Sequence, residues 1–459
     1  MSIGVVVLAA GMGTRMKSGR AKVLHEAAGR SLLEWVLLAV DDVEPEQVSI
    51  VVGHDAERVA SVCPDSASVV VQEPQNGTAD AARVGLGGLD SSPNLILVVP
   101  GDMPLIRGAS LADLVAHHKE SGAAATIMTV ELEDPTGYGR IIRDGGSVAG
   151  IVEEKDATET QKDVCEVNTS VYVFDGALFS GALRSVGNDN AQGEYYLTDV
   201  IGVLVDDGGT VEAVSVEAIE GIGVNTQRQL AEVGATLRQR INSELLDDGV
   251  WMLDPSRVYI DAQASIEPGV RIYPDTYVFG FTTIATGAEI GPNVELRNTR
   301  VSAGARIQQA VAINAVVGEN ATVGPFAYLR PGAELGSNAK AGTYVEIKAS
   351  HIGDGSKVPH LSYIGDATIG EDSNVGAGTI TVNYDGFNKH KTVIGDRVRI
   401  GSDSMLVAPV NVGDDAYTAA GSAITDDVPD GALAIERSEQ KNVDGYAAKR
   451  RGRAERDER

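Results

Sequence analysis

Ile260-Asp261-Ala262-Gln263-Ala264-Ser265-Ile266-Glu267-Pro268-Gly269-Val270-Arg271-Ile272 sets an aliphatic residue at every sixth position, and the spacing continues through Val278, Ile284, Ile290 and Leu296. After a slip of one residue it resumes at Val301, Ile307 and Ile313, then at Val323, Leu329 and Leu335, and again at Ile352, Val358 and Ile364. It returns at Ile394, Ile400, Leu406 and Val412, with Thr418 and Ile424 in phase. Four residues after the early members stand small or β-branched ones: Ala264, Val270, Thr276, Thr282, Ala288 and Val294. A period of six is neither a helical stripe nor a two-residue strand alternation. It fits short strands joined by tight corners around a prism, with the aliphatic side chain inside and the small one beside a corner. Residues 381–391 (TVNYDGFNKHK) break the period with polar and aromatic side chains, and loops expelled from a solenoid are where function collects.

The repeat accounts for the composition. Fifty-three glycines and 5% aromatic residues suit many tight turns better than aromatic-packed cores. A chain of 459 residues exceeds one ordinary core, and the period begins only past its middle, so at least two domains are expected. Just ahead of the repeat, residues 225–248 carry Leu230, Val233, Leu237, Ile241 and Leu245 at helical spacing behind a polar start, the pattern of a connecting helix. From Ile3 to Val224, apolar runs at 3–9, 48–52, 69–71 and 95–99 alternate with helical patterns such as 31–40. Short runs buried on both faces and separated by helices predict an α/β, Rossmann-like layer with a mainly parallel sheet. The expected organisation is an α/β domain over 1–224, a linker helix over 225–248, a parallel β-helix over 249–437 and a charged tail over 438–459. The tail lacks periodicity and is expected to be disordered.

A formal net charge of -27 repels nucleic-acid backbones and anionic lipid, so the expected partners are small molecules, and any phosphate site must be built locally. Cys63 and Cys165 are too few for a disulfide framework, no basic and apolar leader is evident, and no apolar run approaches the roughly 20 residues that span a bilayer. A reducing cytoplasm is the expected location.

The first strand runs into Leu8-Ala9-Ala10-Gly11-Met12-Gly13-Thr14-Arg15-Met16, with Lys22-Val23-Leu24 beyond. Glycines there let backbone N–H groups approach phosphates, and two cations can neutralise a triphosphate. No Gly-Lys-Ser/Thr follows, and Met16 stands where a dinucleotide fingerprint has its third glycine. A bare Gly-x-Gly also fits a structural turn, but the full string resembles the signature of the sugar-1-phosphate nucleotidyltransferases. Ala21 departs from it, because the family commonly has proline before the lysine. Further pieces resemble the family in order. Gln72 with Gln75-Asn76-Gly77-Thr78 is similar to the nucleobase-reading segment, and Gly101-Asp102 closes an apolar run. Gly139, Glu153 and Asn168 resemble sugar-binding positions, and Asn225 ends the set. The resemblance implies attack of a sugar phosphate on the α-phosphorus of UTP. Arg15 and Lys22 would act on the phosphates, while Asp102 and Asn225 offer hard oxygens to Mg²⁺. Taken singly, Asp102 could begin a turn, Glu153 could be solvated surface, and Asn168 or Asn225 could cap backbone.

Within the repeat, His360-Leu361-Ser362-Tyr363-Ile364-Gly365-Asp366 is followed by Asn374-Val375-Gly376-Ala377-Gly378 and by Asn383-Tyr384-Asp385-Gly386 with Lys389. The period resembles hexapeptide-repeat acyltransferases, which implies left-handed coils. The ordered set closely resembles the acetyltransferase half of the bifunctional N-acetylglucosamine-1-phosphate uridylyltransferase/glucosamine-1-phosphate acetyltransferase family. Acetyl transfer needs a base for an ammonium group, and His360, which titrates near neutrality, is the candidate, with Glu346 as its orienter. By resemblance Arg330 and Lys348 bind the sugar phosphate and Tyr363 and Asn374 hold the sugar. Ala377, Asn383, Tyr384, Ser402, Ala420 and Arg437 would contact acetyl-CoA. A prism wall is nearly flat, so a pocket for acetyl-CoA needs a neighbouring chain, and the resemblance implies a homotrimer. Two rival readings are a sugar-nucleotide pyrophosphorylase with another substrate and a purely structural β-helix, and a noncatalytic scaffold or sensor. The set from His360 to Lys389 argues against the first, and the presence of both Asp102 and His360 against the second.

Overall fold

The computed structural model describes residues 1–90 and 92–457. They form two compact units, Met1–Ile241 and Asn242–Arg459.

In the first unit the apolar run Ile3–Ala9 becomes a central strand, paired in parallel with Gln47–Val52 on one side and Leu95–Pro100 on the other. It can be apolar on both faces because helices cover both. Val5 and Val7 pack with Leu33 and Val36 of helix Leu32–Asp41 and with Leu111 and Leu114 of helix Gly108–Ser121. Val6, facing the other way, packs with Ala81 and Ala82 of helix Thr78–Leu86 and with Val200 and Ile201 of helix Asp199–Asp206. Helix Leu32–Asp41 starts where Ser31 and Glu34 form a reciprocal capping box. The sheet is parallel from Leu95–Pro100 outward to Ser68–Val71 but mixed on the other side, where Glu166–Asp175 runs antiparallel between Leu95–Pro100 and Ala125–Glu131. Its register breaks between Asn168 and Tyr172. Helix Gln227–Asp247 closes this unit by burying Val233 and Leu237 against Met16, Leu32 and Leu105, and the Thr226 hydroxyl accepts the Gln229 N–H at its start (3.2 Å).

The second unit is a prism with three parallel walls of eleven, ten and nine short strands among the described residues. The first wall opens with Trp251–Met252, the second with Val258–Ile260 and the third with Ser265–Ile266. Consecutive members of the six-residue series fall on consecutive walls, and each pairs with its counterpart one coil later: Ile266 with Ile284, Ile272 with Ile290, Val278 with Leu296. All six side chains are buried. Two details of the expected series change. Leu296 pairs with Ala312, not Ile313; Ala312 is fully buried while Ile313 is only half-buried, because a one-residue slip moves a strand's side chains to the opposite face. Thr381 belongs to strand Ile380–Val382, in phase with Leu406, and its buried hydroxyl accepts the Gly365 N–H (2.7 Å), so the expelled loop begins only at Asn383.

Corner residues in the left-handed backbone region are mostly Asn, Asp or Gly, such as Asn298, Asn314, Asn320 and Asn338. Beyond the prism, the tail expected to be disordered contains a helix, Tyr446–Asp457, where Ala447, Ala448 and several Lys and Arg residues are good helix formers. Glu458 and Arg459 lie outside the described residues.

The register correction is testable by thermal or denaturant unfolding. Ala312→Asp places an unpaired carboxylate inside the prism and should cost several kcal/mol. Ile313→Asp, one residue on, should cost less than about 1 kcal/mol.

Candidate active sites

The carboxyl ends of Ile3–Ala9 and Leu95–Pro100 open on a cleft of about 590 Å³, where ligands of open α/β sheets bind. The cleft gathers Leu8, Ala9, Ala10, Gly11, Arg15, Lys22, Gln72, Gly77, Thr78, Asp102, Asn168 and Asn225 from segments far apart in sequence. Gly101 is buried behind them, its N–H donating to Leu8 O (2.9 Å). Gly139 and Glu153 stand one step back from the lining. A Cβ on Gly139 would lie 3.6 Å from Glu153 Oε2 and 3.7 Å from Asn168 Cβ, so the three segments meet.

Two glycines are required by geometry. Gly13 has φ +61°, and a Cβ there would sit 2.6 Å from the Lys22 side chain, so the turn packs directly on the lysine. Gly77 has φ +113°, and its Cβ would lie 2.5 Å from Tyr195 O. The Gln72 amide donates to Gly77 O (3.0 Å) and Asp80 Oδ2 (2.8 Å), so its donors hold the Gly77 turn and its oxygen is the group left for a ligand. The Thr78 hydroxyl accepts the Leu197 N–H (2.9 Å).

At the cleft's charged end the Lys22 ammonium donates to Asp102 Oδ2 and to Asn225 Oδ1 (3.1 Å), and Arg15 Nη2 donates to the same Asn225 oxygen (2.9 Å). Two hard oxygens thus already share one cation, the donor set a Mg²⁺ ion with substrate phosphates would use.

In the prism, four of the sequence-selected residues fall in one column. His360, Ala377, Ser402 and Ala420 occupy the same edge in successive coils: His360 O accepts from Gly378, Ala377 O from Asp403 and Ser402 O from Gly421. Arg437 Nη1 reaches Ala420 O (3.0 Å) at the end of the column. His360 is exposed at the end of strand Lys357–His360. Glu346 does not engage it; Arg330 Nη1 takes that carboxylate (2.9 Å). Lys348 Nζ bonds both oxygens of Asp366 (2.9 and 3.0 Å), and Asn383 Nδ2 bonds Asp366 Oδ2 (2.6 Å) and lies 3.4 Å from the Tyr363 hydroxyl. The Asp366 bond raises the Lys348 pKa, and the Lys348 ammonium holds Lys389 below the ordinary lysine range. Arg330 and Lys348 are thus each paired with a carboxylate, and Lys389 lies close enough to Lys348 for the two ammonium groups to repel. Asn374 sits on the first wall, paired with Lys357 and Arg399, whereas Tyr363 is on the second.

The pattern of the MobA-like NTP transferase domain matches residues 5–150, and that of the hexapeptide repeat of succinyl-transferase matches residues 391–426. Proteins named "Bifunctional protein GlmU" align along nearly the whole chain. That of Streptomyces coelicolor is 50% identical, that of Streptomyces avermitilis 51% and that of Thermobifida fusca 48%, each over 97% of this chain and 94% of the relative. The chain belongs to the GlmU family.

Sequence reasoning did not single out Arg140, which the fold buries to 1% exposure. Its guanidinium meets Glu154 (2.7 Å), Tyr138 O and Lys162 O (3.3 Å from Nε), tying together the segments that carry Gly139 and Glu153. The Gly-Tyr-Gly-Arg string shows the arginine but not its burial. Tyr138, Ser170 and Glu194 also line the cleft and were not selected. Ser170 stands at φ +65°, where the strand register breaks.

Burial pushes the Glu153 carboxyl above its ordinary range, reinforced by Asp199 and Asp156 and opposed by a bond from the Thr198 hydroxyl (3.1 Å). A carboxyl raised on folding favours the native state below its unfolded pKa of about 4.3, and that stability is lost as pH rises through the folded value. Glu153→Gln should therefore raise Tm at pH 7 and leave it unchanged at pH 4. It should also weaken sugar-phosphate binding in the uridylyl assay, if Glu153 holds the sugar.

Proposed function

We infer that this chain makes UDP-N-acetylglucosamine in two steps. The prism unit acetylates glucosamine-1-phosphate with acetyl-CoA, and the first unit transfers uridylyl from UTP to N-acetylglucosamine-1-phosphate. The observation that carries the reading is the presence, in one chain aligned to GlmU proteins over 97% of its length, of a cleft with converging Arg15, Lys22, Asp102 and Asn225 and a separate edge with His360.

In acetyl transfer, His360 takes a proton from the substrate ammonium, and the freed amine attacks the thioester carbonyl. As the tetrahedral adduct collapses the C–S bond breaks, the nitrogen gives up its second proton, and coenzyme A takes up a proton and leaves as the free thiol. Arg330 and Lys348 bind the sugar phosphate, and Tyr363 and Asn374 hold the sugar. Acetyl-CoA runs along the column of Ala377, Ser402 and Ala420, whose small side chains leave room for the pantetheine arm, with Arg437 at its end and with Asn383 and Tyr384, past the far end of strand Ile380–Val382, as further contacts.

In uridylyl transfer, a phosphate oxygen of N-acetylglucosamine-1-phosphate attacks the α-phosphorus of UTP, and the bond to the leaving pyrophosphate breaks. Gly11 and its neighbours give backbone room to the phosphates, Gln72, Gly77 and Thr78 receive the base, and Gly139, Glu153 and Asn168 receive the sugar. Arg15 and Lys22 stabilise charge on the transferred and leaving groups. Asp102 and Asn225 would hold Mg²⁺, which when bound would supply positive charge against the phosphates.

The working assembly is a homotrimer. Support comes from one prism edge, where Phe326, Tyr344 and Leu361 replace Asn and Asp at left-handed corners with φ of 57°, 55° and 51°. They are 50%, 57% and 63% exposed, and the Phe326 and Tyr344 rings stack at 5.1 Å. Bulky residues are strained at positive φ, and exposing them adds a second cost that burial against another copy would offset. Two free cysteines, and no described helix long and apolar enough to cross a membrane, suit a cytoplasmic enzyme.

Asp102→Ala should abolish uridylyl transfer and spare acetyl transfer, and His360→Ala should do the reverse; loss of both rates in either folded variant would contradict separate sites. Phe326→Asn puts a residue at home in the left-handed region, so the protomer should unfold no earlier while sedimentation shifts from trimer to monomer. A variant that stays trimeric would remove this edge from the interface.

A further inference from the structure

The expelled loop contains a histidine–carboxylate pair that none of the steps above uses. The two oxygens of Asp385 have different partners. Oδ1 accepts the backbone N–H groups of Phe387 (2.8 Å) and Asn388 (2.7 Å), the arrangement of an aspartate-nucleated turn. Oδ2 lies 2.7 Å from His390 Nε2, and because an ionised carboxylate can only accept, the ring nitrogen donates. Bonds from the Asn388 N–H, the His390 ring and the Phe387 N–H hold the Asp385 pKa at about 2, so it stays ionised at any working pH. His390 also closes the loop through its backbone, its N–H donating to Asn383 O (2.8 Å). Inside that closure Tyr384 and Lys389 form a bridge, and the Tyr384 hydroxyl donates to Gly386 O (2.6 Å).

Hydrophobic packing cannot hold this loop. Asn383 is buried at its root, but every residue from Tyr384 to Lys389 is exposed, and Phe387 is 90% exposed. A loop ordered only on meeting its ligand loses conformational entropy at that moment and binds more weakly.

We propose that Asp385 and His390 form a clasp that presets the loop to receive acetyl-CoA, which makes both of them positioning residues for acetyl transfer. The inference rests on the reading of Asn383 and Tyr384 as acetyl-CoA contacts. Asp385 Oδ1 shapes the turn, while the bond from Oδ2 to His390 sets where the Tyr384 ring and the Lys389 ammonium stand. Preorganisation acts on binding, so it should appear in the KM for acetyl-CoA and not in the chemical step.

Steady-state acetyl transfer by the full-length protein tests this with His390→Ala, Asp385→Asn, their double variant and His390→Gln, whose side-chain amide keeps a donor. Uridylyl transfer by the same samples reports on the integrity of the chain. Breaking the clasp should raise the KM for acetyl-CoA between about three- and tenfold, the range of one solvent-exposed hydrogen bond. The kcat and the uridylyl rate should stay within twofold of the parent, and the KM for glucosamine-1-phosphate should rise less than that for acetyl-CoA. The double variant should be no worse than the more impaired single one, and His390→Gln should recover most of the loss. Asn383→Ala separates the two ways of being wrong. If it raises the acetyl-CoA KM while His390→Ala does not, the clasp is refuted and the loop keeps its ligand. If neither variant moves that KM, the loop is not an acetyl-CoA contact and both ideas fall. A His390→Ala variant that loses kcat and both KM values together would make the pair structural, which also overturns the proposal.

Discussion

The inside of the prism has room on each wall, in each coil, for one aliphatic side chain and one small or β-branched one, and that limit governs the second unit. It forces a buried aliphatic residue at Ile266, Ile272, Val278 and their successors, and it forces the chain to turn sharply between them. Sharp corners need residues at home at positive φ, which is why Asn298, Asn314 and Asn320 stand there. Strict stacking then converts residues distant in sequence into columns. His360, Ala377, Ser402 and Ala420 share one edge because the coils between them keep register, even across the insertion that expels the loop. An aligned row of side chains in such a fold is a consequence of periodicity, with no dedicated scaffold required.

The first unit reaches its site by a different route. Its strands end together, so residues just past Ile3–Ala9 and Leu95–Pro100 are brought to one cleft by the sheet itself. The chain's charge of -27 works against any phosphate ligand, and the cleft answers this locally by placing Arg15 and Lys22 against Asp102 and Asn225. Each cation is partnered by an oxygen that a metal could take over, so the groups are compatible with one another before a nucleotide arrives. Behind the cleft, folding raises the pKa of the half-buried Glu153 carboxyl and so disfavours its charge.

Fold class was legible in the sequence because both signals are periodic: six-residue repetition in one half, and apolar runs alternating with helical patterns in the other. Errors came where periodicity alone decides a register. Ala312 lies inside and Ile313 outside, because a slip of one position is invisible when both residues are apolar. Thr381 looked like loop because it is polar, yet its hydroxyl is satisfied by Gly365 within the coil. For the cleft, a matching string located Arg15, Lys22 and Asp102, but the burial of Arg140 and its ties to Glu154 and Lys162 depend on tertiary packing that no local pattern encodes. Glu346 illustrates the same limit: two partners were within its reach in sequence terms, and the prism wall assigns it to Arg330. The tail, read as disordered from its charge, has enough helix-favouring residues to form Tyr446–Asp457.

The central claim is that one chain performs two reactions in a fixed order, with the product of the prism serving as the substrate of the cleft. The most direct measurement supplies the intact protein with glucosamine-1-phosphate, Mg²⁺ and UTP, follows pyrophosphate release, and then adds acetyl-CoA while also following free thiol. Little pyrophosphate should form until acetyl-CoA is added, after which thiol release should precede pyrophosphate release. Thiol release without any pyrophosphate, or pyrophosphate release at full rate before acetyl-CoA is present, would contradict the account.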